Sequence, residues 1–191
     1  MRLFLALQIP KEIRERFAAL IAELRRLDSK SAAKKPRWVT PENLHVTLKF
    51  IGQTDASRLD SVRAALAGLR FAHPVHLHFR SIGFFPSAKR PRVIWAGVNA
   101  SDNLAPLAAE IERRLAAAGF PDQTHEYKPH LTLARLDPPV MSPELRDAIE
   151  RNASRDFGEL LTGEFHLMES KLKSTGAEYT TLQSFLFVPK D

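Results

Sequence analysis

Asn43-Leu44-His45-Val46-Thr47-Leu48-Lys49-Phe50-Ile51-Gly52 decides how this 191-residue chain is read, because its centre recurs as His130-Leu131-Thr132-Leu133. Side chains at i and i+2 of a strand share a face, so His45 projects with Thr47 while Leu44, Val46, Leu48 and Phe50 fill the other side. The second copy sets Pro129, Leu131 and Leu133 opposite His130 and Thr132. Composition alone predicts roughly one third of a His-x-Thr triplet in a chain of this make-up. A single copy reads as an ordinary amphipathic strand; two copies, each continued by Leu, read as one functional pair. Two such strands facing each other would hold a matched acid and base about a phosphate.

Working outward, Arg2 to Gln8 has the pattern of a strand. Pro10 suits a first helical turn, and the stripe of Ile13, Phe17, Leu20, Ile21 and Leu24 predicts a helix to about Leu27. A polar, basic connection from Asp28 to Pro41 leads to the first phrase. Next come a helix from about Ser57 to Leu69, with Asp55 as its expected cap, and a strand from Val75 to Phe84. The pattern then restarts: a strand at Arg92 to Val98, and a helix from about Asp102 to Ala118 that stops at Gly119, suited to a left-handed C-terminal position. The second phrase follows, then a short helix opened by Ser142-Pro143 and strands at about Phe165 to Leu172 and Tyr179 to Val188. Both halves read strand, helix, motif strand, helix, strand. The expectation is an α+β chain forming one bilobal domain over residues 1–191, with an internal duplication of about 1–90 and 91–191. Outer helices, a pseudo-two-fold relation and a cleft between two β-rich lobes follow, with strands free to exchange between lobes.

Net charge is +6 and the pI is about 9.8, which favours anionic partners such as RNA, nucleotides or other phosphates. The chain has no cysteine, so disulfides, thiolate nucleophiles and cysteine-bound zinc are excluded, and a reducing cytoplasm is the expected location. Pro10 and Lys11 cut short the apolar run at Met1 to Ile9, so it is not expected to act as a secretion signal. No stretch approaches the roughly 18 apolar residues of a membrane span.

The residue types in the phrases suit one chemistry. Opening a cyclic phosphate with water needs a base for the nucleophile and an acid for the departing sugar oxygen, and histidine populates both protonation states near neutrality. Threonine hydroxyls donate hydrogen bonds to the non-bridging oxygens, where charge grows. Acid and base catalysis of roughly 10² to 10⁴ each make a metal unnecessary, so no metal or other cofactor is expected.

Together with Lys128-Pro129-His130-Leu131-Thr132-Leu133-Ala134-Arg135, the opening stretch resembles the paired signatures of the two-histidine (2H) phosphoesterases. Pro91-Arg92-Val93-Ile94-Trp95-Ala96-Gly97 and Glu169-Ser170-Lys171-Leu172 with Gly176 and Tyr179 extend the similarity along nearly the whole chain. The flanks of both phrases resemble those of the bacterial and archaeal RNA 2′,3′-cyclic phosphodiesterase branch, formerly called 2′-5′ RNA ligases. That resemblance implies a bilobal α+β fold and metal-independent hydrolysis of RNA 2′,3′-cyclic phosphate ends to 2′-phosphates, with reversible 2′-5′ RNA ligation as an associated activity. It implies His45 as the proton donor to the leaving 3′ oxygen, His130 as the acceptor that activates water, and Thr47 and Thr132 as phosphate ligands. Near symmetry leaves the opposite assignment of the histidines physically open. A monomer acting on RNA ends is the expectation. Its alternatives are a catalytically idle RNA-end binding protein and a phosphodiesterase for small cyclic nucleotides or 2′-5′ oligonucleotides.

Other residues carry weaker expectations. Arg135 could grip a phosphate, although strand parity sets it with Leu131 and Leu133 unless the strand bends, and a structural ion pair competes. Parity puts Lys49 on the His45 face, where its charge would lower that histidine's pKa, and Ala134 takes its place in the second copy. His76 and His78 share a face as zinc pairs do, but with His73 they read as surface strand residues lacking a completing carboxylate. His125 reads as a loop residue near the second phrase, and His166 belongs to no motif. Arg25, Arg26, Lys30, Lys34, Lys35 and Arg37 with Trp38, and Phe84, Phe85, Lys89 and Arg90, have the basic and aromatic mixture that suits single-stranded RNA. Solvated helix ends and core aromatics are the competing reading of both groups.

Overall fold

A computed structural model describes residues 1–28, 35–71, 73–122, 126–173 and 176–187. Its strands are β1 (Arg2–Gln8), β2 (Arg37–Trp38), β3 (His45–Gln53), β4 (Val75–Phe85), β5 (Val93–Ala100), β6 (His130–Arg135), β7 (Asp156–Thr162), β8 (Glu164–Lys173) and β9 (Gly176–Leu186). The helices are α1 (Lys11–Asp28), α2 (Leu59–Leu66), α3 (Leu104–Ala117) and α4 (Pro143–Arg151). All strands join one antiparallel sheet in the order β7-β4-β5-β6-β3-β1-β8-β9, with β2 added on β6. The two lobes are thus the halves of one curled sheet, meeting where Val46 of β3 pairs with Leu131 of β6.

Strand exchange builds each half. β4 leaves the first motif strand to pair with β5, while β8 returns across the molecule to pair with β1 and carries β9 on its outer edge. Helices cross too: α1 packs with α4 and β7, whereas α3 packs with α2 and β3. The helices cover one face of the sheet and make with it a core that includes Leu5, Phe17, Val46, Leu66, Phe79, Ile111, Leu131 and Ile149. Phe17 of α1 stacks on Phe157 at 4.4 Å and meets Phe79 edge-on at 6.1 Å, anchoring the helix behind β4 and β7. The opposite face carries a small apolar cluster of Phe4, Ala6 and Met168 with Tyr179 against it, and forms the open cleft.

Most elements lie where the sequence places them. Ser142 caps α4 by accepting a bond from the Leu145 N–H at 3.2 Å, with Pro143 in the first turn. Gly119 ends α3 with φ +78°. The second helix is shorter than expected: a 3₁₀ turn, Ala56–Arg58, precedes α2, and Asp55 makes no side-chain cap bond. Strand β7 is absent from the sequence reading. Gly158, at φ +102°, interrupts its alternation, and its Leu161 is exposed, so the periodic signal is lost.

The decisive departure lies inside the motif strands. β1 and β3 slip by one residue between Ala6↔Thr47 and Leu5↔Lys49, leaving Leu48 extra; β5 and β6 slip between Trp95↔Thr132 and Ile94↔Ala134, leaving Leu133 extra. Both phrases therefore carry a β-bulge at their leucine. A bulge turns two successive residues to one side, and the pairs Leu48-Lys49 and Leu133-Ala134 are all buried. Lys49 thus points away from His45, correcting its expected influence there. Its ammonium donates to Glu112 Oε1 of α3 at 2.6 Å and to the Pro121 carbonyl at 2.8 Å.

Lys49 is fully buried while Glu112 remains about a quarter exposed, so removing the carboxylate strands a charge in the core. Glu112→Ala is expected to lower unfolding free energy by about 3 kcal/mol in urea titrations, whereas Lys49→Met should cost far less, because it removes the charge and fills the space.

Candidate active site

The antiparallel pairing of Val46 with Leu131 sets His45 beside Thr132 and Thr47 beside His130. All four are partly exposed on the open face of the sheet, between leucines and valine that are buried beneath the helices. The strand period thus delivers the two phrases to one place.

Each imidazole is held in the same way. His45 Nδ1 donates to the Asn43 carbonyl at 2.7 Å, and His130 Nδ1 donates to the Lys128 carbonyl at 2.8 Å. A carbonyl accepts only, so both rings carry a proton on Nδ1 and leave Nε2 for chemistry. Neutral rings then offer a lone pair at Nε2; protonated rings offer an acid there. Asn43 is itself fixed by a bond from its side-chain amide to the Ala177 carbonyl at 2.6 Å, tying the approach to β3 onto β9.

Aromatic rings pack both histidines. His45 lies 4.9 Å from Phe4 and meets Tyr179 edge-on at 5.3 Å; His130 meets Phe85 edge-on at 5.1 Å. Phe85 packs on Trp95 at 5.1 Å, and Trp95 lies against Gly83, where a Cβ would overlap the indole. Gly97, the neighbour of His130 on β5, leaves no room for a Cβ beneath Ser81. Sequence reasoning does not single out Tyr179 and Phe4 as site residues, because β9 and β1 meet only through the long return of β8.

The bulge brings Arg135 round to the histidine face, where it is exposed and its charge reaches His45 and Tyr179. Strand parity alone sets it with the core leucines. Burial is the main cause that pushes the His45 pKa below its ordinary value; the Asn43 carbonyl opposes this, and the charges of Arg135 and His130 reinforce it. Next to His45 a cavity of about 180 Å³ opens between Gln8, Arg14, Glu42, Asn43, Met168, Tyr179 and Thr181.

The remaining candidates fall elsewhere. His76 and His78 face the overlooked β7, where His76 Nε2 lies 2.9 Å from Glu159 and His78 Nε2 lies 2.6 Å from Asp156. Carboxylates do stand there, yet among the described residues no group of three or more His, Cys, Asp or Glu side chains could hold a metal ion. His166 is buried and bonded to Ser184 at 2.9 Å. Trp38 pairs through β2 with Ala134 and packs against the core, as does Phe84, while Phe85 belongs to the cleft. Lys30, Lys34 and His125 lie outside the described residues.

Two histidines with matched tautomers, two threonines and a cation thus share one face of the sheet. The chain belongs to the 2′-5′ RNA ligase superfamily, whose family model matches residues 9–173. It is 33% identical over 185 residues to an RNA 2′,3′-cyclic phosphodiesterase of Archaeoglobus fulgidus, spanning 97% of this chain and 99% of that protein. A protein of the same name from Methanocaldococcus jannaschii is 32% identical over 185 residues, 97% of this chain and 100% of the relative. Among solved structures, TT0787 of Thermus thermophilus superposes with a TM-score of 0.77 at 29% identity over 100% of both chains. Escherichia coli LigT complexed with 3′-AMP gives 0.73 at 26% identity over 97% of each.

Site electrostatics make a direct prediction. In an NMR titration of the free protein, His45 should titrate below the ordinary histidine value of about 6.5 and be neutral at pH 7. Arg135→Gln removes a repelling cation and should move that titration upward; no movement would separate Arg135 from the site.

Proposed function

We propose that this protein hydrolyses RNA 2′,3′-cyclic phosphate ends to 2′-phosphates by paired histidine acid and base catalysis without a metal. It is a phosphoric diester hydrolase of the RNA 2′,3′-cyclic phosphodiesterase type, related over nearly its whole length to proteins of that name. The observation that carries the mechanism is the shared tautomer: each Nδ1 is bonded to the backbone, so both Nε2 atoms are available across one cleft.

In this reading the cyclic phosphate lies between the phrases, with Thr47 and Thr132 donating to its non-bridging oxygens and Arg135 countering its charge. His130 Nε2 takes a proton from water as the water oxygen attacks phosphorus. The bond to O3′ breaks, and the Nε2 proton of His45 passes to that oxygen. A 3′-hydroxyl and a 2′-phosphate result; ligation through a 2′-5′ bond follows the same steps with a 5′-hydroxyl attacking in place of water, and cleavage of that bond back to the cyclic phosphate exchanges the roles of the two histidines.

The low pKa of His45 gives its donor role a condition. Unliganded, the ring is mostly neutral at pH 7; a bound phosphate anion offsets Arg135 and favours the imidazolium, so substrate helps create the acid it needs. Both phrases stand on one chain, which suffices for a monomer. No helix among the described residues is long and apolar enough to cross a membrane, and a cysteine-free chain suits the reducing cytoplasm.

The test is incubation of purified protein with an oligonucleotide ending in a 2′,3′-cyclic phosphate, in EDTA, followed by identification of the product end. Turnover to a 2′-phosphate is expected; loss of activity in EDTA or a 3′-phosphate product would overturn the mechanism. His45→Ala and His130→Ala should each reduce kcat by at least about 100-fold with unchanged circular dichroism, and unaltered turnover in either variant would remove that histidine from the chemistry.

A further inference from the structure

Strand parity places Phe50 in the core, opposite His45 and Thr47. The bulge at Leu48 reverses it: Phe50 is 52% exposed and lies on the cleft face, 6.2 Å from Phe4, whose ring packs on His45. It is one of few large apolar side chains so exposed among the described residues, and it stands on a strand whose neighbouring side chains are otherwise buried or part of the site.

Its place is defined by the other half. Both phrases bulge at their leucine, so Phe50 holds in β3 the position that Arg135 holds in β6. β3 and β6 run antiparallel through Val46↔Leu131, which sends these two side chains to opposite ends of the site. Arg135 lies toward His45, whose titration it affects, and Phe50 lies beyond Thr47 on the His130 side. The cleft therefore has a cationic end and an aromatic end. The two paired steps along the strand from Thr47 to Phe50 correspond to about 7 Å, so a ring at Phe50 lies within one nucleotide's length of a phosphate held at Thr47. Arg135 meets the phosphate charge, while a flat apolar ring open to water offers a surface that any base can cover.

We propose that Phe50 is the stacking platform for the base of the nucleotide that carries the cyclic phosphate. This rests on the phosphodiesterase reading above and deepens it: the substrate is held by a base as well as by a phosphate, with its polarity set by the difference between Phe50 and Arg135. Stacking tolerates every base, so the platform confers a requirement for a base and little preference among bases. It contributes equally before and during the reaction, so its effect falls on KM.

The experiment compares an oligonucleotide ending in adenosine 2′,3′-cyclic phosphate with the same strand ending in an abasic ribose 2′,3′-cyclic phosphate. The native protein should favour the base-bearing end by about tenfold in kcat/KM. Phe50→Ala and Phe50→Leu should both bring that ratio close to one, chiefly through KM on the base-bearing strand, and Phe50→Trp should restore it. Phe50→Leu retains apolar bulk, so its ratio reads stacking and not folding. A native ratio near one, or variants that lose activity on both strands in equal proportion, would overturn the platform while leaving the phosphodiesterase reading intact. Absence of turnover on either strand by the native protein would remove both.

Discussion

Everything at this site depends on a pair of β-bulges placed at the same leucine of two repeated phrases. Without them β3 and β6 would alternate regularly, Lys49 would stand beside His45, and Phe50 and Arg135 would be driven into the core. With them, two consecutive residues in each strand face the helices, and the next side chain returns to the cleft. The extra leucine in each phrase thus changes both what is buried and what faces the cleft. The core absorbs the consequence by pairing the buried Lys49 with Glu112, a contact that also ties α3 to the first motif strand.

The pairing of β3 with β6 makes one site out of two halves that are alike in plan and unlike in detail. Both histidines bond Nδ1 to a carbonyl two residues earlier, and both meet an aromatic edge. His45 is the more enclosed, between Phe4 and Tyr179 and within reach of the Arg135 charge. Near-symmetric strands therefore supply matched geometry, while the neighbours on β1, β6 and β9 make the surroundings of the two imidazoles differ. In our proposal the substrate phosphate completes this difference by offsetting the cation that disfavours the proton on His45.

Much of this was legible in the chain. The two phrases, their shared face of His and Thr, and the order of helices around them follow from period and capping residues such as Ser142, Pro143 and Gly119. Three things were hidden for physical reasons. A bulge adds a residue without altering local composition, so parity counting misplaced Lys49, Phe50 and Arg135. Gly158 and the exposed Leu161 erased the alternation that would have revealed β7, and with it the carboxylates facing His76 and His78. Tyr179 reaches His45 only because β8 and β9 cross to the half that contains β1, a tertiary event no local pattern records.

The central claim is that the two bulged phrases form one phosphate site. A crystal structure with a bound nucleoside 2′-monophosphate tests it most directly. The account predicts a single phosphate between β3 and β6, with the hydroxyls of Thr47 and Thr132 and the Nε2 atoms of both His45 and His130 within about 3 Å of its oxygens. A phosphate held by only one phrase, or by residues away from this cleft, would contradict it.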